Sequence, residues 1–468
     1  MREFVRTLWI TFRILSIFLI FHRFDDKKPY RHGSTSKGIM AVATARNAYI
    51  DFFRGLALWW IFIDHTPGNW LSKATFSRFG VCDAFELFVL LAGFSASYAY
   101  GPVLFQRGWR AAAGKILRRC GTIYLANLAL FAFLCVEAAF LVRSPVGQSV
   151  LGLTGLDPLK TFSASEIGTL LTFNYPAGLL NILPLYILLF LGFAAVLPLL
   201  RFPRTLLALS IGLYATTYLL GLHIPGMPIG GETAKPFYFN PLAWQILLVT
   251  GAILVTEPAM RPKPDPVLDT AAVAVLLVAF GVQISIYLSR HGYIGGTSPV
   301  LIWMQGAVTI ESAKIGLHPL RLVNIFAWAW LAYRLAPLYG SWVGRPWARP
   351  LILCGRQSLP VFCAGTVLAP LGGFWLATLP GPASQAAYNL IGAAIMVSVA
   401  ALAAARRSRR RGHPDQGCGP QGAACSSFTS CDITSGRNLE ANPSTKSTFA
   451  NTAAQCARRS ASSSNFHI

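Results

Sequence analysis

Asp64 and His65 are neighbours in an apolar stretch, and Asp83 and Glu86 follow after one short loop. Of the 18 acidic residues in the chain, Asp51, Asp64, Asp83 and Glu86 fall in or at the ends of two consecutive apolar segments, together with Arg54 and His65. Ionisable groups are costly inside a bilayer, so a cluster of them marks a candidate site. An imidazole beside a carboxylate is a general-base arrangement: the acid fixes the tautomer and stabilises the imidazolium. Two blander readings stand beside this one. A lone histidine in a span can be a packed helix contact, and Asp51 with Arg54 can be an ion pair that only holds helix ends.

Helical geometry orders these groups. At 100° per residue Asp51, Arg54 and His65 fall at about 0°, 300° and 320°, one stripe of the first helix. Arg54 and His65 are about 16 Å apart along its axis. If the second helix runs back, Asp83 and Glu86, three residues apart on one face, come to the depth of His65. Trp59, Trp60 and Trp70 read as packing or interface anchors, and Gly93 as a site of close helix packing. The cysteines of the polar tail (Cys418, Cys425, Cys431 and Cys456) match no zinc spacing, and no metal is expected.

The elements that must carry these residues are transmembrane helices. The chain has 468 residues, 54% hydrophobic and 12% charged, with mean hydropathy +0.50. A soluble chain would carry about twice that charge. The apolar runs are continuous and reach about 20 residues, which gives an all-α polytopic membrane protein and excludes a β-barrel. The net charge of +22 does not point to nucleic acid, because the basic residues sit at helix ends and in the tails.

Ten spans are predicted: Tyr49–Trp70, Gly80–Tyr100, Ile116–Leu141, Leu179–Leu200, Thr205–Leu222, Pro241–Thr256, Val267–Leu288, Leu320–Leu338, Leu351–Leu376 and Ala386–Ala405. With the N-terminus inside, inner loops are about three times as dense in Lys and Arg as outer ones, so both termini are expected in the cytoplasm. The largest inner group is Arg107, Arg110, Lys115, Arg118 and Arg119. In the long outer loop from Ser289 to Pro319, Ser298 to Ile310 is apolar but too short to cross and reads as a re-entrant or surface helix. Residues 1–45 form an N-terminal extension, interfacial or outside the true protein if Met40 is the start. Residues 46–405 form the ten-helix domain, and residues 406–468 a basic, then low-complexity disordered tail.

The stretch Asp51-Phe-Phe-Arg54-Gly-Leu-Ala-Leu, followed by Ile-Phe-Ile-Asp64-His65-Thr-Pro-Gly-Asn69, resembles the first-helix signature of the OpgC-type membrane acyltransferases. Asp83-Ala-Phe-Glu86-Leu-Phe-Val is similar to its second-helix motif. Phe239-Asn240-Pro-Leu-Ala-Trp244-Gln245 and Gly355-Arg356-Gln-Ser358-Leu-Pro-Val-Phe-Cys resemble two later ones. Val81-Cys82 and Leu91-Ala92-Gly93 depart from the pattern and leave the histidine and acids intact.

The resemblance implies an enzyme of the bacterial inner membrane that moves an acyl group, typically succinyl, from cytoplasmic acyl-CoA to a periplasmic glucan or other glycan hydroxyl. Acyl-CoA is then a co-substrate, and no cofactor is needed. On this reading His65 is the base, with Asp64, Asp83 and Glu86 around it. Asp51, Arg54, Arg118 and Arg119 serve the acyl-CoA side, since arginine suits its phosphates. Arg321 suits a succinyl carboxylate, and Asn240, Trp244 and Gln245 suit a sugar. The rival class is a transporter or flippase of a glycan or lipid-linked anion that uses the same buried charges.

Overall fold

The structure is a computed structural model that describes residues 48–160, 180–224, 237–293, 298–336 and 342–411. The expected N-terminal extension and the disordered tail lie outside the described residues, apart from the end of the last helix. Contacts divide the chain into a unit ending at Ser408 and a second unit from Arg409. Among the described residues there is helix and no strand.

Fourteen helices are named here in chain order: α1 (Ala48–His65), α2 (Ala84–Arg107), α3 (Trp109–Leu141), α4 (Pro145–Leu153), α5 (Ile182–Val196), α6 (Pro203–Leu220) and α7 (Pro241–Thr256). They continue with α8 (Pro266–Arg290), α9 (Pro299–Thr309), α10 (Glu311–Ile315), α11 (Pro319–Arg334), α12 (Arg349–Arg356), α13 (Ser358–Thr378) and α14 (Pro382–Arg411). Every predicted span contains a helix. Among the described residues six helices are long and apolar enough to cross a membrane: α2, α3, α5 with its 3-10 extension, α8, α13 and α14. Their outer faces carry large exposed apolar side chains such as Leu125, Phe133, Leu277 and Leu390, so the protein is built for a bilayer. The apolar run at Ser298–Ile310 is the short helix α9.

Two boundaries differ from the sequence reading. The basic stretch after Arg107 is no loop. Gly108, at φ +80°, makes a one-residue turn, and Trp109 restarts the helix, so Arg110, Lys115, Arg118 and Arg119 ride on α3. A non-glycine residue is disfavoured at that φ. The ninth predicted span is broken at Gln357 into α12 and α13. Pro360 accounts for the break: in one continuous helix its ring would collide with the carbonyl of Arg356 and it has no N–H to give.

The core that positions the site is α1 with α2, α12 and α13 packed around it. α1 meets α12 at Gly55 and Gly355. A Cβ on Gly55 would run into the Leu351 carbonyl, and one on Gly355 into the carbonyl of Asp51. Two small residues let the backbones touch, as in other close membrane helix pairs. Gly93 of α2 plays the same part against α7, where its Cβ would meet the Leu248 carbonyl.

Candidate functional site

His65 is the last residue of α1, and its ring is oriented by its own helix. Nδ1 lies 2.8 Å from the Ile61 carbonyl oxygen. A carbonyl only accepts, so Nδ1 carries the proton and Nε2 keeps its lone pair in the neutral ring. This corrects the expected source of orientation. Among the described residues no hydrogen bond joins His65 to Asp64, Asp83 or Glu86; the backbone does the work assigned to an acid. Beyond His65 the chain is pinned to α14. Asn69 and Asn389 exchange amide hydrogen bonds of 2.9 and 3.1 Å, and Gln385 donates to the Gly68 carbonyl at 2.9 Å.

The three carboxylates have separate duties. Asp64 accepts from Thr75 Oγ1 at 2.5 Å and lines the same cavity as His65. Asp83 and Glu86 form a capping box at the start of α2: Asp83 accepts from the Phe85 N–H, and Glu86 accepts from the Asp83 N–H. Glu86 is fully buried and pairs with Arg321, Nε to Oε1 at 2.6 Å. Asp83 pairs with Lys314 at 2.7 Å and Arg321 at 3.3 Å. Lys314 and Arg321 together neutralise the Asp83 carboxylate at the start of α2. Arg321 is therefore consumed by two acids on the adjacent helix and by the Ala307 carbonyl. The expectation that it waits for a succinyl carboxylate does not hold. Lys314, on the short α10, is the cation that reaches the cavity instead.

That cavity measures about 530 Å³. Asp64, His65, Phe85, Thr154, Tyr238 and Lys314 line it. The sugar-binding trio predicted on α7 is not there. Trp244 is fully buried and donates to the Ile315 carbonyl at 3.0 Å. Asn240 caps α7 and bonds the Leu222 carbonyl, and Gln245 is bonded to Ser210. These three place α7 and the segment before Lys314. Phe239, the first residue of that motif, and Tyr238 just before it line the cavity instead.

At the Asp51 end of α1 lies a second cavity of about 470 Å³, lined by Arg54, Arg119, Arg356 and Arg407 together with Asp51 and Ser358. Arg54 donates from Nη1 to Ser95 Oγ at 2.9 Å and from Nη2 to Ser358 Oγ, and its guanidinium sits 5.7 Å over the Phe88 ring. Arg356 Nε donates to Asp51 at 3.3 Å. Of the predicted acyl-CoA residues, Asp51, Arg54 and Arg119 line this space. Arg118 is exposed and does not; one residue on a helix turns the side chain by 100°. Arg407 was missed because it lies in the basic tail, whose charges read as a topology signal.

A narrow space of about 10 Å³ lies between the two cavities, walled by Leu58, Ile61, Phe62, Val361 and Phe362. His65 borders both this neck and the cavity it shares with Lys314, Phe362 borders the neck and the cationic cavity, and Ile182 borders all three. Arg54 and His65 thus stand at opposite ends of one line of cavities, on one helix.

No curated protein and no solved structure matches the chain. The family described as OpgC protein matches residues 46–408, a stretch that holds α1 to α13, both cavities and most of α14, and the chain belongs to that family.

Proposed function

We propose that this is an inner-membrane O-acyltransferase that takes its acyl group from acyl-CoA at the cationic cavity and delivers it to a glycan hydroxyl at His65. The observation that carries this reading is the alignment of an arginine-lined cavity, an apolar neck and a histidine-lined cavity, with Ile182 common to all three. Four arginines in a half-enclosed space suit the several phosphates of CoA. The neck suits the slim arm that carries the thioester.

The chemistry is acyl transfer. The acceptor O–H gives its proton to His65 Nε2 as its oxygen adds to the thioester carbonyl. The C–S bond then breaks, and the imidazolium returns the proton to the departing thiolate. Lys314, beside this centre, suits either the developing oxyanion or the carboxylate of a succinyl group. Tyr238 offers an aromatic edge to a saccharide. The acid cluster keeps α2 and Lys314 in register rather than taking part.

With the arginine end in the cytoplasm, the donor enters from inside and the acceptor from the periplasm, in accord with the basic bias of the inner loops and two cytoplasmic termini. The neck holds about 10 Å³, room for about one water, so it must widen for either occupant, and a slender thioester arm needs far less widening than the sugar ring of the glycan-conduit alternative. Mass spectrometry of periplasmic glycans from a deletion strain and its complement tests the reading. Acylated glycan that depends on the intact chain supports it. Unacylated glycan that accumulates inside the cell without the chain would favour the conduit.

A further inference from the structure

The helix that supplies Ile182 carries two polar groups with nothing to bond. Tyr186 is buried to 6% exposure, its ring lines the cationic cavity, and its Oη has no hydrogen-bond partner. Its ring lies against Phe88, which lines that cavity, and Phe85, which lines the His65 cavity. Asn181, directly before Ile182, is buried to 5% and leaves its Nδ2 unbonded. Asn127 of α3, one turn past the cavity-lining Ile123, is buried to 1% with neither amide atom satisfied. Two other buried tyrosines of the core are bonded: Tyr214 Oη donates to the Leu317 carbonyl, and Tyr388 Oη to that of Leu368.

An unsatisfied buried hydroxyl or amide is destabilising, and native structures keep few of them without a use. These flank the one residue common to all three spaces. Asn181 and Tyr186 are five residues apart, about 7.5 Å along the helix. Resting on the acyl-CoA reading above, the occupant of the neck is the pantetheine arm. That arm is slender and flexible, and its only polar groups between the pyrophosphate and the sulfur are a hydroxyl and two amides separated by two methylenes. Those amides lose water in a neck of leucine, isoleucine and phenylalanine and need partners. We infer that Tyr186 is a donor-arm binding residue that hydrogen-bonds a pantetheine amide where the arm passes from the cationic cavity toward the neck.

The test uses the full chain in proteoliposomes open to donor at both faces, with succinyl-CoA and succinyl-pantetheine as probes and a glycan acceptor. Tyr186→Phe removes only the oxygen. It should raise the KM for both donors about three- to tenfold, the range for one net hydrogen bond, with kcat within about twofold. Arg119→Ala should raise the KM for succinyl-CoA and leave succinyl-pantetheine unchanged, because it acts on the nucleotide end. Thermal unfolding without donor separates binding from structure: Tyr186→Phe should be as stable as the parent or more so, and should lose most of the stabilisation that CoA confers. An unchanged KM for both donors overturns the assignment while Arg119→Ala still supports the acyl-CoA reading. A fall in stability without donor shows a structural hydroxyl and overturns it too. If the parent uses neither donor, nor acetyl-CoA, the acyl-CoA reading falls and the assignment with it.

Discussion

Arg54 and Ser358 lie 304 residues apart in the chain and are hydrogen-bonded across the gap between α1 and α13. The two motifs around them interlock at three points. Arg54 reaches Ser358, Asp51 accepts from Arg356, and Gly55 and Gly355 allow the backbones to touch. The break at Gln357 makes this possible, because it frees Ser358 to start a new helix facing Arg54. The cationic cavity is thus shaped by a clasp between α1 and the junction of α12 with α13.

Gly355→Ala should open the clasp. Its Cβ would meet backbone, which cannot move aside, and overpacking of this kind costs about 1–3 kcal/mol. Reduced thermal stability in detergent and weaker CoA binding are expected. A variant with parental stability and affinity would show that the close crossing is not needed.

The cationic cavity predicts a split between adjacent arginines. Arg119→Ala and Arg407→Ala should each raise the KM for acyl-CoA with little change in kcat, since they act on donor binding. Arg118→Ala, on the exposed side of α3, should leave both constants unchanged. Equal effects at Arg118 and Arg119 would mean that the charge acts through the membrane surface rather than through the cavity.

Arg321→Ala strands the buried Glu86 carboxylate, while half-buried Asp83 keeps Lys314, and breaking a buried ion pair by removing one partner costs about 3–5 kcal/mol. Protein yield should collapse. The pair of changes Glu86→Leu with Arg321→Met should recover much of it. If Arg321→Ala instead accumulates normally and loses only the preference for acyl groups that carry a carboxylate, the ion-pair account of Arg321 is wrong.

Helical class and the membrane setting were legible from the length of the apolar runs. So were the positions of Arg54 and His65, because one straight helix carries both and 1.5 Å per residue fixes their separation. Partner choice was not legible. Depth alone put Asp83, Glu86 and His65 together, yet the acids turn toward Arg321 and Lys314, whose helices lie more than two hundred residues downstream. The same limit hid Arg407, and it made Trp244 and Gln245 look like a sugar site when their partners, Ile315 and Ser210, lie on other elements. The break at Gln357 had a local signal in Pro360.

General-base catalysis gives a sharp expectation for His65. His65→Ala should insert and accumulate like the parent while turnover falls by about a hundredfold or more. His65→Gln should be equally inactive, because an amide cannot take up the proton even where it can accept a hydrogen bond. Near-parental turnover in either variant would refute the assignment.

The central claim is that donor and acceptor meet from opposite faces through one line of cavities. Sealed vesicles of known orientation test it most directly, with acyl-CoA supplied at a single face and a glycan acceptor at the other. Transfer is predicted when acyl-CoA is given only at the face where Arg54, Arg119 and Arg407 open, with the acceptor at the His65 face. Transfer from acyl-CoA confined to the His65 face would contradict the account.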